Sequence, residues 1–117
     1  IINNLIMNSL IHGYKNEHSG VINLQIKLSD NRLHLDYSDD GVGLSDEGES
    51  NIFEPFYTTN RGAGGSGLGA HIVFNIVTQL LKGSITMNRE LVRGLGFHIE
   101  FPIMDSEQSI KIQAQLQ

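Results

Sequence analysis

The 117-residue sequence contains no cysteine. That excludes a disulfide-stapled scaffold, a thiolate-held zinc site and a thiol nucleophile. It has no tryptophan, and its two prolines are Pro55 and Pro102, so no segment is proline-rich low complexity. Positive charge is scarce: 8 Lys and Arg stand against 13 Asp and Glu, for a formal net charge of −5. Such a balance lacks the basic stripe of nucleic-acid binders, and no nucleic-acid partner is expected. No apolar run approaches the roughly 20 residues of a membrane span, so no direct membrane insertion is expected. Ile1 opens into an apolar, Asn-rich segment without a charged leader, and no signal peptide is expected. The length suits one domain, and 39% hydrophobic residues suffice for a compact but small core.

Glycine, by contrast, is abundant, at 13 residues. Gly62, Gly64, Gly65, Gly67 and Gly69 fall within eight positions, and Gly41/Gly43 and Gly94/Gly96 form close pairs. Clustered glycine beside ordered apolar segments suits backbone that approaches a ligand.

The hydrophobic periodicity orders the chain. Residues 1–13 read as a helix with Ile1, Ile2, Leu5, Ile6 and Ile11 apolar; Asn4, Asn8 and His12 share one face at i, i+4 and i+8. The chain is expected to start inside this helix, since nothing before Ile1 resembles a cap. Segments 21–28 and 32–38 alternate as strands of an antiparallel hairpin about Asp30-Asn31, the first with Ile22, Leu24, Ile26 and Leu28 on a half-buried face. Residues 39–66 show little periodicity, and seven of the acids lie from Asp36 to Glu54; a loop this long in a small domain is functional or disordered. Helical spacing returns over 67–81, with Leu68, Ile72, Val73, Ile76, Val77, Leu80 and Leu81 as a wide apolar stripe. Segments 84–88 and 96–102 read as a final strand pair, and 105–117 as a polar tail.

Three constellations carry candidate chemistry. The run Gly62-Ala63-Gly64-Gly65-Ser66-Gly67-Leu68-Gly69 leads into a helix, where free N–H groups and the positive helix end suit a phosphate. It is neither a dinucleotide fingerprint nor a Walker loop: no parallel strand feeds it and no Gly-Lys-Ser/Thr is present. Asp39-Asp40-Gly41-Val42-Gly43 follows a strand, so a carboxylate there can accept from an exocyclic amine such as that of adenine, beside glycines that leave room for a flat ring. A charge-assisted bond of this kind contributes about 1.5–3 kcal/mol; the plain alternative is an Asp-Gly turn. Asn is a poor helix former, so Asn4 and Asn8 on an apolar helix call for a reason, and a side-chain carbonyl is a hard ligand suited to Mg²⁺. Asp36, Ser38, Asp40, Gly41 and Glu47 also match a calcium-loop spacing, but a strand stands where that loop needs a helix. His34, His71 and His98 show no metal spacing and are assigned no chemistry; Phe53, Phe56 and Tyr57 read as core packing.

The order of these pieces resembles the ATP-binding catalytic domain of sensor histidine kinases, of the GHKL superfamily. Asn4-Leu5-x-x-Asn8-Ser9 is similar to the N box, Asp39-x-Gly41-x-Gly43 to the G1 box, residues 52–59 (Ile52-Phe53-Glu54-Pro55-Phe56-Tyr57-Thr58-Thr59) to the F box, and Gly65-Ser66-Gly67-Leu68-Gly69 to the G2 box. His71-Ile72-Val73, Ile76-Val77, Gly83-Ser84-Ile85 and the ending Phe97-x-Ile99-x-Phe101-Pro102 continue the pattern over residues 1–102.

The resemblance implies an α/β two-layer sandwich of helices on one face of a mixed, mostly antiparallel sheet. It implies a catalytic domain over 1–104, starting within the N-box helix, with 105–117 as tail. It implies ATP and Mg²⁺ as cofactors. Asn8 would ligate Mg²⁺ and act in catalysis, Asp39 would bond the adenine amine, and Gly41 and Gly43 would shape the pocket. Residues 58–66 would form a short lid, bringing Thr58, Thr59 and Ser66 to the nucleotide. Gly65, Gly67 and Gly69, with Leu68, would give main-chain contact to phosphates. Arg61 would meet the terminal phosphate as a catalytic cation, and His12 a phosphate or the ribose, with Asn4 beside it. The implied reaction transfers the γ-phosphoryl group to a histidine on a separate dimerisation domain of a parent kinase, ahead of a response regulator, in the cytoplasm, with a parent that can be membrane-anchored. The family's hydrolases carry a Glu four residues before the Mg²⁺ Asn; Asn4 here cannot accept a proton, which favours transfer over hydrolysis. The alternatives are a nucleotide-sensing module of the same fold without transfer, or an ATPase. Two departures bear on this: Leu95 follows Gly94 where the family has Thr, and Asp40 stands where Asn is usual.

Overall fold

A computed structural model describes residues 1–14, 19–54, 69–91 and 93–103. Four strands, β1 (Ile22–Ser29), β2 (Arg32–Asp39), β3 (Ser84–Met87) and β4 (Gly96–Pro102), form one sheet in the order β1-β2-β4-β3. Every pairing among them is antiparallel. The helices are α1 (Ile2–Asn8), α2 (Asp46–Asn51) and α3 (Gly69–Asn75). Both α1 and α3 run on into wider π-type turns, Ser9–Gly13 and Ile76–Leu80, closed by bonds from Tyr14 N–H to the Ser9 carbonyl and from Leu81 N–H to the Ile76 carbonyl. The architecture is the expected α/β layer of helices on a largely antiparallel sheet.

The hairpin follows from its turn. Asp30 and Asn31 both take positive φ, 54° and 58°, the conformation that matches strand twist in a two-residue loop and that Asn and Asp tolerate. Alternation then places Leu33, Leu35, Tyr37 and Asp39 of β2 and Phe97, Ile99 and Phe101 of β4 in the buried row. Helix α1 and its extension meet this row with Ile1, Leu5 and Ser9, one residue per turn, each under 5% exposed. Ala70, Val73, Val77 and Leu81 do the same from α3 onward. The stripe is narrower than the sequence suggests: Ile72 and Leu80 are exposed.

Two expectations are corrected. The stretch 39–66 is not without structure, because α2 lies within it. Ser45 caps that helix by accepting from the Gly48 N–H at 3.1 Å, and Asp46, Glu47 and Glu49 fill the first turn, where carboxylates oppose the helix dipole. Six residues are too few for hydrophobic periodicity to register. The apolar face of β1 is half-buried only at Ile22, which packs against the core. Leu24, Ile26 and Leu28 pair with buried Tyr37, Leu35 and Leu33, yet stay 40–67% exposed on this edge strand.

Candidate functional site

Period-2 alternation carries Asp39, the last residue of β2, into the inward row, where it is 5% exposed. A buried carboxylate survives only with partners, and Asp39 has three. Its Oδ1 accepts from the Gly41 N–H at 3.0 Å and the Leu95 N–H at 3.1 Å. Its Oδ2 accepts from the Ser9 hydroxyl at 2.7 Å. The Ser9 oxygen also lies 2.6 Å from the Tyr37 hydroxyl, whose single proton is shared between Ser9 and the Leu5 carbonyl at 3.1 Å. Burial raises the Tyr37 phenol above its usual pKa, so it stays a neutral member of this network.

Glycine is obligatory around this carboxylate at two positions. Gly94 holds φ +94°, and a Cβ there would lie 2.0 Å from the Asp39 carbonyl oxygen. A Cβ on Gly41 would lie 2.5 Å from the Gly13 carbonyl oxygen, the same oxygen that accepts from the Val42 N–H at 3.0 Å. The loop after β2 thereby closes on the π-type turn that follows α1, and the loop before β4 closes on the end of β2. Gly43 lines an adjoining cleft of about 270 Å³ with Val42, Leu44, Met87, Gly94 and Leu95; Asp39 is not part of that lining.

Leu95 stands where the family pattern has a hydroxyl, and it acts through its main chain: its N–H donates to Asp39 Oδ1 and its carbonyl accepts from the Asp39 N–H at 2.9 Å. Asp40 is exposed and faces away. Its Oδ1 accepts from the Val21 N–H at 2.9 Å and the Tyr14 hydroxyl at 2.7 Å, bonds that hold its carboxyl below the usual range. Burial and then the Asp40 bond push the Tyr14 phenol up to about 12.

Ser9 and Asn8 are neighbours whose side chains diverge. Ser9 turns to Asp39, while Asn8 turns to the start of α3: a Cβ on Gly69 would lie 2.9 Å from Asn8 Oδ1. Asn4, Asn8 and His12 form a half-buried stripe beside the buried Ile1–Leu5–Ser9 row. The described residues therefore bring together Asn8 and Gly69 on one side of α1, and Asp39, Gly41 and Gly13 on the other. Thr58, Thr59, Arg61, Gly65, Ser66, Gly67 and Leu68 lie outside the described residues, as do Phe56 and Tyr57. Phe53 packs as expected, its ring centroid 5.2 Å from that of Phe74 and 5.7 Å from that of Phe97.

Sequence reading missed Ser9 and Leu95 as partners of the carboxylate, and Tyr37 behind Ser9. A signal for two of them was present: Ser9 continues the Ile1–Leu5 row at i+4, and Tyr37 sits one inward step before Asp39. It also missed that His34 and His98 meet. They lie 64 positions apart and come together only through the β2–β4 register.

Comparison with known proteins agrees with this arrangement. Residues 1–105 match the histidine kinase-, DNA gyrase B- and HSP90-like ATPase family, and the chain belongs to it. It is 34% identical over 110 residues to the autoinducer 2 sensor kinase/phosphatase LuxQ of Vibrio cholerae, covering 87% of this chain and 13% of that protein. It is 30% identical over 84 residues to the anti-sigma F factor of Geobacillus stearothermophilus, covering 72% of this chain and 56% of that one. The catalytic domain of histidine kinase ThkA superposes with a TM-score of 0.67 at 28% identity, over 85% of this chain and 61% of that structure. The chain thus spans less than two thirds of each of these relatives. Family and fold place it in the kinase/ATPase class. No helix among the described residues is long and apolar enough to cross a membrane.

Proposed function

We propose that this chain is the ATP-binding catalytic domain of a two-component sensor histidine kinase, spanning 1–104 with 105–117 as a tail. The observation that carries the reading is the coordination of Asp39. A carboxylate offers about four acceptor positions. Three are taken by the Gly41 and Leu95 amides and the Ser9 hydroxyl. No donor among the described residues takes the fourth, on Oδ2. An adenine amine donating there would complete the set, with Gly41 and Gly43 flanking the ring.

The phosphate end of the nucleotide then falls toward Asn8 and Gly69. The Asn8 carbonyl oxygen is a hard donor of the kind Mg²⁺ takes, and it faces the first residue of α3. Bound there, Mg²⁺ would neutralise charge between the phosphates. The G2 segment Gly65-Ser66-Gly67-Leu68-Gly69 would give main-chain contacts, Thr58, Thr59 and Arg61 would close over the phosphates, and His12 would reach a phosphate or the ribose. Transfer breaks the bond between the γ-phosphorus and its bridging oxygen and forms one to an imidazole nitrogen of the acceptor domain. Asn4, half-buried on the same stripe as Asn8, cannot take a proton from water, so hydrolysis lacks a base there. The phosphoacceptor domain of the parent kinase and a downstream response regulator would be the partners, in the cytoplasm.

The anti-sigma F factor relative favours a second reading, a nucleotide-dependent binding module. One experiment separates the two. The chain is incubated with γ-labelled Mg-ATP and the separately purified phosphoacceptor domain of the parent kinase. Acid-labile, base-stable label on that domain, reduced at least tenfold by Arg61→Ala, supports the kinase. Nucleotide binding without label supports the module.

A further inference from the structure

The β2–β4 register does more than bury one row. Residues between the buried ones point to the opposite face, away from the helices. There His34 pairs with Glu100 and Asp36 with His98, so two imidazoles and two carboxylates form a square on adjacent strands. His34 Nδ1 lies 3.3 Å from Glu100 Oε2, and His98 Nε2 lies 3.5 Å from the same oxygen. One ligand atom from each of these three residues lies within 4.8 Å of the others.

We propose that His34, His98 and Glu100 form a binding site for a divalent transition-metal ion of the zinc type. Zn–N and Zn–O bonds of about 2.0–2.2 Å in a tetrahedron set ligand atoms about 3.3–3.5 Å apart. The two nitrogen-to-oxygen separations already match. Drawing the two nitrogens together needs only side-chain rotation, and the three side chains are 27–36% exposed, so an ion and a water as fourth ligand have access.

Neighbouring side chains orient two of the three ligands. His98 Nδ1 is 2.8 Å from Asp36 Oδ1, so the Nδ1–H donates to Asp36 and the Nε2 lone pair is left facing Glu100. Arg32 donates to Glu100 Oε1 at 3.2 Å and leaves Oε2 available. A carboxylate behind a ligating histidine is the usual outer support of a metal site. Two imidazoles and one carboxylate suit zinc, nickel, copper or cobalt rather than magnesium or calcium, which take oxygen donors. The site lies on the opposite face of the sheet from Ser9 and Asp39 and is independent of any nucleotide.

The test is titration of the chain with Zn²⁺ by calorimetry and with Co²⁺ by visible absorption. One-to-one binding is expected, with the intense d–d bands of tetrahedral Co²⁺ and with Zn²⁺-dependent shifts of the His34 and His98 ring resonances. His34→Ala and His98→Ala should each weaken binding more than tenfold, and Asp36→Asn by about tenfold. His71→Ala should leave it unchanged, since His71 is engaged elsewhere by the Phe53 carbonyl and Asn75. Circular dichroism confirms that each variant is folded. No binding at about 1 mM Zn²⁺, binding that survives both His34→Ala and His98→Ala, or ring shifts confined to His12, His18 and His71 would each overturn the proposal.

Discussion

Asp39 occupies a position where Leu33, Leu35 and Tyr37 lead the reader to expect a fourth apolar side chain. Burying a charge there is tolerated because three donors are fixed before any ligand arrives. Removing one should be costly, since a buried acceptor left short of partners loses about 1–3 kcal/mol. Ser9→Ala, which strips a bond from both Asp39 and Tyr37, should lower unfolding free energy by that amount in urea titration. Gly94→Ala combines a positive φ with a clash on the Asp39 carbonyl and should cost about 1–3 kcal/mol or more, read as a drop in thermal midpoint. Asp40 behaves differently because it is exposed. Its folded pKa lies below the ordinary 3.8. The stability it contributes is therefore present above pH 3.8 and is lost as pH falls through the lower folded value. The stability gap between the native chain and Asp40→Asn should accordingly be constant from neutral pH to about 4 and close in more acidic denaturation series.

Among the elements, α1 is the one that organises the site. Its Ile1–Leu5–Ser9 row enters the core, its Asn4–Asn8–His12 row stays half-buried, and the π-type turn Ser9–Gly13 brings the Gly13 carbonyl against the Val42 N–H. Such widened turns recur at functional sites because they displace side chains from the regular helical stripe. The strands and long helices were legible because their apolar residues repeat with period 2 or 3.6 over several turns. Helix α2 was not, since its six residues rest on a Ser45 cap and acidic side chains instead of on burial. Nor was the exposure of β1, because alternation reports which residues share a face and says nothing of what covers it. The contrast is measurable. Leu35→Ala, at a fully buried position, should cost about 2–5 kcal/mol. Ile26→Thr, directly opposite on the exposed edge strand, should change stability by about 0.5 kcal/mol or less.

At the scale of the molecule, glycine abundance and low positive charge fit the proposed nucleotide site, in which an anion is held with main-chain groups and geometry rather than with a basic surface. Among the described residues, the Gly41 amide donates to Asp39 and Gly94 packs against its main chain. Motif order made the family legible, and Gly41 stands beside Asp39 in the chain, whereas the donors Ser9 and Leu95 were not legible, because they come from distant segments that only the fold unites. The central claim is that Asp39 is the nucleotide anchor. An NMR titration of the chain with Mg-ATP, followed at the amides of Gly13, Gly41 and Leu95, tests it, with Asp39→Asn alongside. Saturable shifts at these amides, and an affinity at least tenfold lower (about 1.4 kcal/mol) in a folded Asp39→Asn variant, are the predicted result. An unchanged affinity in that variant, or shifts that leave these three amides untouched, would contradict it.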